Sequence, residues 1–436
     1  MNNTTEAPLS VPKHHFDQQA WTKEQYQRLK QSLQYAYKHS AFYRQKFQEA
    51  GVNPDQLQSQ EDLQQYPLTT KQDLQQFNDD FLCVERQEVR DFCTTSGTLG
   101  HPVSFALTEQ DLQRLAQNEV LTYLSAGIGQ EDVIQLTTTM DKRFMAGHAY
   151  YLGARALGIP FVRSGLAPMG FQWDSIFRFN TTVLIAVPSF ILKLIQYAKQ
   201  EGIDFVNAPV KKIICIGEAL RNESFEYNTL GKLIADQWPV ELYGTYASTE
   251  MGTAFSECEA GKGGHLYPDL IHVEILDEQN QPVAAGLSGE VCITTLGVEA
   301  MPLVRFKTGD IATLHADTCA CGRTTPRLSP ILGRKEHLLK LKGTSLYPTA
   351  IFNVLDRFEG IGNYIIEVCK SDLGQDAVRL LLESDGQAMT MQDKIKEALR
   401  SDLRVLPELV YINSGDLMKM KFPENSRKPV NFIDRR

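Results

Sequence analysis

The sequence predicts an α/β protein: a large body on a mostly parallel sheet, with a smaller α+β unit after it. Three observations carry this. From about residue 90 onward, short β-branched runs alternate with helical patterns, the rhythm of strands joined by helical crossovers. After about 265 the strands follow in quick succession with glycine turns at Gly286 and Gly289, which predicts a smaller antiparallel or barrel-like unit. Beyond Gly333 the pattern runs strand, helix, strand, helix, strand to the end. That is enough chain for a domain of its own.

Taken in order, the first ~85 residues read as helices. They are rich in Gln, but Leu29, Leu33, Tyr37, Phe42 and Phe47 recur at helical spacing between Trp21 and Gly51. An amphipathic helix or helix pair with a solvated Gln face is expected there. Strands are expected at 133–136, 160–163, 182–187, 212–216, 240–243, 273–276 and 290–294, and helices at 189–201 and 224–237. The 436 residues would make about three domains by length alone. The patterning favours two unequal ones, 1–333 and 334–436.

Composition excludes several classes. With 44 Lys and Arg against 53 Asp and Glu the formal charge is −9, which argues against a surface built to hold nucleic acid or an anionic membrane. Eight cysteines are too few for a disulfide scaffold. The most apolar stretch, 183–195, is interrupted by Pro188 and Lys193, and no signal peptide or membrane span is readable. A cytoplasmic protein is expected.

The sharpest local feature is Thr94-Thr95-Ser96-Gly97-Thr98-Leu99-Gly100-His101-Pro102. Two glycines admit backbone N–H groups close to an anion and four hydroxyls add donors, a composition suited to phosphate. No Gly-Lys-Ser/Thr follows, so this is not a Walker loop; a plain Ser/Thr/Gly turn is the competing reading. Further along stand Tyr246-Ala247-Ser248-Thr249-Glu250, Arg305-Phe306-Lys307-Thr308-Gly309-Asp310, Gly333-Arg334-Lys335-Glu336 and Ser426-Arg427-Lys428-Pro429. Cys258, His265, Cys319 and Cys321 supply three thiols and an imidazole in two short clusters, the mix tetrahedral Zn²⁺ takes, and four protein ligands would make such a zinc structural. Reduced, partly buried thiols are the alternative. Cys83, Cys93, Cys215, Cys292 and Cys369 read as small core residues.

In order and spacing these motifs resemble the adenylate-forming superfamily of acyl-CoA synthetases, peptide-synthetase adenylation domains and luciferases. The whole chain resembles its phenylacetate–CoA ligase branch. Phe42-Tyr43-Arg44, Ala50-Gly51-Val52, Asp62-Leu63, Pro67-Leu68, Thr70-Lys71 and Cys319-Ala320-Cys321-Gly322-Arg323-Thr324 carry that narrower likeness. The resemblance implies that Thr95, Ser96, Gly97, Thr98 and Gly100 wrap the β- and γ-phosphates of ATP. It implies that Glu250 holds Mg²⁺ and that Thr249 donates to the α-phosphate. Gly217-Glu218-Ala219 and Tyr246 would flank the adenine, and Asp310 and Arg334 would reach the ribose. Lys428 would be the catalytic lysine, on a small domain that rotates about a hinge near Glu336. Phe144 would face the acyl group, within an aromatic stretch that includes Tyr150. Members with the same Cys and His pattern are similar to zinc-bearing ones, and a homodimer is implied.

Three positions depart from the family pattern. His101 stands where a lysine is usual, and Ala247 and Arg427 stand where glycines are. The expected function is an ATP-dependent, AMP-forming carboxylic acid:CoA ligase acting through an acyl-adenylate. Apolar and aromatic residues suit an aryl or arylacetic acid, and no unpaired buried charge is obvious for recognising an amino acid. An amine, a carrier protein or a protein thiol in place of CoA is the alternative acceptor. A non-catalytic nucleotide-binding protein is the alternative of another class.

Overall fold

The computed structural model describes residues 18–95, 103–341, 344–358, 361–370, 376–383, 390–403, 407–423 and 430–436. The chain divides into two units, Met1–Thr308 with Ala312–Ile331, and Gly309–Ile311 with Leu332–Arg436.

The N-terminal helical pattern resolves into a pair, Gln18–His39 and Ala41–Glu49. The break falls at Ser40, whose hydroxyl oxygen accepts the Tyr43 N–H at 3.2 Å and caps the second helix. Leu29, Leu33, Phe42, Tyr43 and Phe47 are all buried in one cluster with Phe255, Val291 and Phe306. Tyr43 goes further: its hydroxyl oxygen accepts the Val304 N–H at 2.9 Å. Helix is sparser than expected between 50 and 90. Pro54 and Pro67 punctuate this stretch and disfavour a helix through them, leaving Lys71–Gln76 as its α-helix among short 3₁₀ turns.

The sheet of this unit starts at one edge with parallel strands in the order Phe161–Arg163, Ile134–Leu136, Val183–Ala186, Lys212–Cys215 and Glu241–Ser248. Helices Met145–Leu157, Met169–Arg178, Pro188–Glu201 and Thr229–Ala235 are the crossovers. Val183–Ala186 is buried along its whole length, as a strand covered on both faces must be. The direction changes at Glu241–Ser248, which runs antiparallel to Thr253–Ser256. The antiparallel part continues through Gly264–His265, Arg327–Leu328, Phe306–His315, Ser288–Thr295 and Ile271–Leu276.

In the second unit, Asp310 and Ile311 pair with Arg334 and Gly333. A Cβ on Gly333 would lie 2.4 Å from the Tyr347 ring, so only glycine fits. A four-stranded sheet follows, ordered Glu408–Ile412, Asp376–Glu383, Tyr364–Lys370 and Phe432–Asp434. Its own core includes Ile351, Ile366, Leu380, Ile395 and Leu399. Among the described residues, no helix is long and apolar enough to cross a membrane.

Candidate active site

In a parallel sheet, ligands bind outside the carboxyl ends of the strands, and three of the singled-out segments begin there. Tyr246 to Glu250 closes the Glu241–Ser248 strand, Gly217 to Ala219 follows Lys212–Cys215, and Phe144 lies beyond Ile134–Leu136.

The Ser248↔Thr253 register leaves Thr249, Glu250, Met251 and Gly252 as a four-residue turn. Gly252 has φ +53°, and Met251 is wholly buried beneath. The turn is fixed by Arg114 from helix Glu109–Ser125. Its guanidinium donates to the carbonyls of Gly252 at 2.7 Å, Leu270 at 2.5 Å and Leu296 at 2.9 Å, and to the Thr253 hydroxyl at 2.9 Å. Burial pulls Arg114 down to about 10, with Asp111 opposing, so it stays charged at neutral pH. Asp111 in turn accepts the N–H groups of Glu299 and Ala300. Half-buried Thr249 and Glu250 line a cleft whose walls include Phe105, Leu107, Leu115, Met145 and Met301.

The hydroxyl- and glycine-rich segment hangs on a two-stranded hairpin, Asp91–Thr94 with Ser104–Leu107. Thr95 closes its foot. The Thr95 N–H donates to the Val103 carbonyl at 3.0 Å, and its hydroxyl oxygen accepts the Val103 N–H at 3.1 Å. Ser96, Gly97, Thr98, Gly100 and His101 lie outside the described residues, as do Arg427 and Lys428. Lys428 belongs to a segment whose flanks are tied: the Val430 N–H donates to the Lys421 carbonyl at 2.7 Å, and Phe432 pairs with Ile366.

Glu218 has a definite local task. Its carboxylate accepts the Ser189 N–H at 2.8 Å and the Ser189 hydroxyl at 2.9 Å, at the start of helix Pro188–Glu201 where a negative charge is favoured. This anchors the segment that begins at Gly217, whose φ is +77°; the Ala219 carbonyl accepts from Asn228 at 2.8 Å. Half-buried Tyr246 stacks on Phe255, 5.7 Å between centroids. In the second unit, Asp310 is buried and bridges to Arg334 at 3.2 Å. The Glu336 carbonyl accepts from Arg436 at 2.8 Å.

Phe144 is half-buried just before helix Met145–Leu157, whereas Tyr150 is buried within the core, its side chain bonded to Thr245. Beside it stands Glu119, a residue the sequence reading passed over. Burial pushes Glu119 up to about 8, and its Oε2 has no hydrogen-bond partner among the described residues. Arg114 and Glu119 carry no motif. The one available signal is a polar stripe, Asp111, Arg114, Asn118, Thr122 and Ser125, at helical spacing. It imitates a solvated face, yet every member is buried.

Cys258, His265, Cys319 and Cys321 come together, all four ligand atoms within 4.8 Å of one another. Sheet register does this: His265 pairs with Ser256 on one side and Arg327 on the other. Cys319 to Gly322 is a tight turn, with the Gly322 N–H donating to the Cys319 carbonyl at 2.9 Å and φ +86° at Gly322. Cys258 and Cys319 sulfurs are 3.7 Å apart, and the Cys321 sulfur is 3.5 Å from His265 Nε2. Ligands at about 2.3 Å (S) and about 2.0 Å (N) from a tetrahedral zinc stand ~3.8 Å and ~3.5 Å from one another. His265 Nδ1 meets the Thr325 hydroxyl at 3.0 Å, which orients Nε2 into the cluster. The donor set fits zinc.

Residues 16–300 match the AMP-binding enzyme family. Phenylacetate-coenzyme A ligase of Thermus thermophilus is 32% identical over 426 residues, 90% of this chain and 92% of that protein. The enzyme of the same name from Escherichia coli is 27% identical over 427 residues, 94% of each. The crystal structure of 2-hydroxyisobutyryl-CoA ligase in the postadenylation state, in complex with 2-HIB-AMP, aligns with a TM-score of 0.84 at 24% identity. That alignment covers 95% of this chain and 90% of that one and speaks to the fold. With a family match over most of its length and relatives matched nearly end to end, the chain belongs to the AMP-binding enzyme family, in the adenylate-forming superfamily and close to the phenylacetate–CoA ligases.

Proposed function

We propose that this adenylate-forming enzyme joins an aryl or arylacetic acid to coenzyme A. The observation that supports the substrate class is the likeness, nearly end to end, to phenylacetate–CoA ligases. Beside Thr249 and Glu250, Phe105, Leu107, Leu115, Met145 and Met301 line a small space with apolar walls, and the charged groups on Asp111 and Arg114 are already engaged by backbone partners. The relatives' names point to the same acid class and to the same thiol.

In the first half-reaction a carboxylate oxygen attacks the α-phosphorus of ATP. The bond to the bridging oxygen breaks and pyrophosphate leaves with its electron pair. Thr249 is assigned as the donor to the α-phosphate, on a turn held still by Arg114, so that little reorganisation is needed as charge develops. Glu250 would hold Mg²⁺, which when bound would offset the charge of the phosphates. Thr95 and the segment after it are assigned to the outer phosphates. Gly217–Ala219 and Tyr246 are assigned to the base, Asp310 and Arg334 to the ribose, and Lys428 to the carboxylate and α-phosphate together. In the second half-reaction the thiol sulfur attacks the acyl carbon and AMP leaves, after a movement of the 334–436 domain about Glu336. Phe144 is assigned to the acyl group with Tyr150 behind it. Cys258, His265, Cys319 and Cys321 would hold a structural zinc, and the working particle would be a homodimer.

Acid-dependent exchange of pyrophosphate into ATP, run across a panel of aryl, arylacetic and short aliphatic acids, tests the substrate class. Exchange strongest with the aryl or arylacetic acids, followed by CoA-dependent thioester formation, is expected. Exchange confined to aliphatic acids would overturn it.

A further inference from the structure

Binding a triphosphate calls for fixed positive charge, and the segment from Thr94 to Pro102 holds no Lys or Arg, only His101. The loop after Ile134–Leu136 carries cations of its own and is bonded through its backbone to the first residue of that segment. Lys142 and Arg143 stand there in succession, both exposed, with φ +56° and +59°. A side chain with a Cβ is disfavoured in that region and glycine is not.

Three contacts hold the loop in place. The Thr94 N–H donates to the Arg143 carbonyl at 3.0 Å. The Thr139 hydroxyl donates to the Asp141 carboxylate. A Cβ on Gly147 would lie 2.2 Å from the Thr139 carbonyl oxygen, so the loop rests directly on the first turn of helix Met145–Leu157. Arg143 is thus bonded through its own backbone to the first residue of the hydroxyl- and glycine-rich segment. Two residues later, Met145 lines the cleft together with Thr249 and Glu250.

Resting on the reading of this site as the ATP site, we infer that Arg143 binds the β- and γ-phosphates, in place of a cation within the segment itself. A guanidinium suits this task. It is charged at every working pH, and its planar fork meets two phosphate oxygens at once. It would also offset the charge that gathers on pyrophosphate as the α-phosphorus bond breaks. An arginine kept in left-handed backbone marks a local cost accepted for a function.

The Arg143→Gly variant separates charge from structure, because it removes the fork and the backbone penalty together. Were Arg143 only structural, glycine would be neutral or favourable. The expected result is a rise of about tenfold to a hundredfold in KM for ATP, the range of lost hydrogen bonds to a charged group. Pyrophosphate in the reverse reaction should show a matching loss. AMP affinity, transfer from preformed acyl-AMP to CoA and the thermal midpoint should hold, and Arg143→Lys should recover part of the loss. Arg143→Gln repeats the test without added backbone freedom. Wild-type KM values for ATP and pyrophosphate in both Gly and Gln variants would overturn the inference, as would AMP affinity falling in step with ATP. A wild-type enzyme without acid-dependent exchange overturns the site reading itself, a different result from exchange that is indifferent to residue 143.

Discussion

Glu119 sits where helices Glu109–Ser125 and Met145–Leu157 pack so closely that a Cβ on Gly153 would lie 2.4 Å from the Glu119 Cβ. Asn118 donates to one carboxyl oxygen at 3.0 Å, and the other oxygen has no partner among the described residues. Burial outweighs the hydrogen bonds from Asn118 and Thr122 and raises the group from 4.5 to about 8. Between those values the folded chain keeps a proton there that the unfolded chain has lost, so the contribution of this site to stability falls as pH rises from 4.5 towards 8. Glu119→Gln keeps the shape and removes the titration. Urea unfolding should find the variant close to wild type near pH 5 and more stable by about 3 kcal/mol near pH 8. An advantage of equal size at both pH values would show that Glu119 does not titrate in this way. Arg114 is the contrasting case on the same helix: it is buried too, but four acceptors meet its guanidinium, and its charge becomes a brace for the Thr249–Gly252 turn.

The strand Thr253–Ser256 links two features of the first unit. One end leaves the turn that carries Glu250, and the other leads to Cys258. A metal on Cys258, His265, Cys319 and Cys321 would cross-link this strand to Gly264–His265 and to the chain entering Arg327–Leu328. Structural zinc adds its binding free energy to folding. The purified protein should therefore carry about one zinc per chain, and Cys319→Ser or chelation should lower the thermal midpoint by several degrees. Elemental analysis and calorimetry decide this; a metal-free wild type with the same midpoint as Cys319→Ser would remove zinc from the account. The thiol and imidazole grouping was legible in the sequence because the two clusters are short. What stayed hidden was the register, Ser256↔His265 and Arg327↔His265, which brings the clusters together. The parallel strands were legible for a similar reason: a strand covered on both faces, such as Val183–Ala186, leaves an uninterrupted apolar run. Arg114 was not legible, because its partners lie 138 to 182 residues away along the chain. Its polar stripe resembles a solvated face until the packing is known.

Across the whole molecule, the proposed chemistry divides between two units with separate cores. Residues assigned to the phosphates and the acyl group belong to the first, and Asp310, Arg334 and Lys428 belong to the second. A net charge of −9 repels ATP at long range, so the phosphates must be met locally by backbone N–H groups, a bound cation and a few placed basic side chains. Lys428 would serve only while charge gathers on the α-phosphate and the attacking carboxylate, since AMP leaves the acyl carbon by a different displacement. Removing its ammonium should therefore affect one half-reaction and not the other. Lys428→Ala should lose at least about a hundredfold in acyl-adenylate formation, the scale of one electrostatic donor at a developing charge. The same variant should still pass the acyl group from supplied acyl-AMP to CoA within a few-fold of wild type. Single-turnover measurement of each half-reaction separates the two rates. If both fall together, Lys428 has some task other than stabilising the adenylation transition state, and the division of chemistry between the units fails with it.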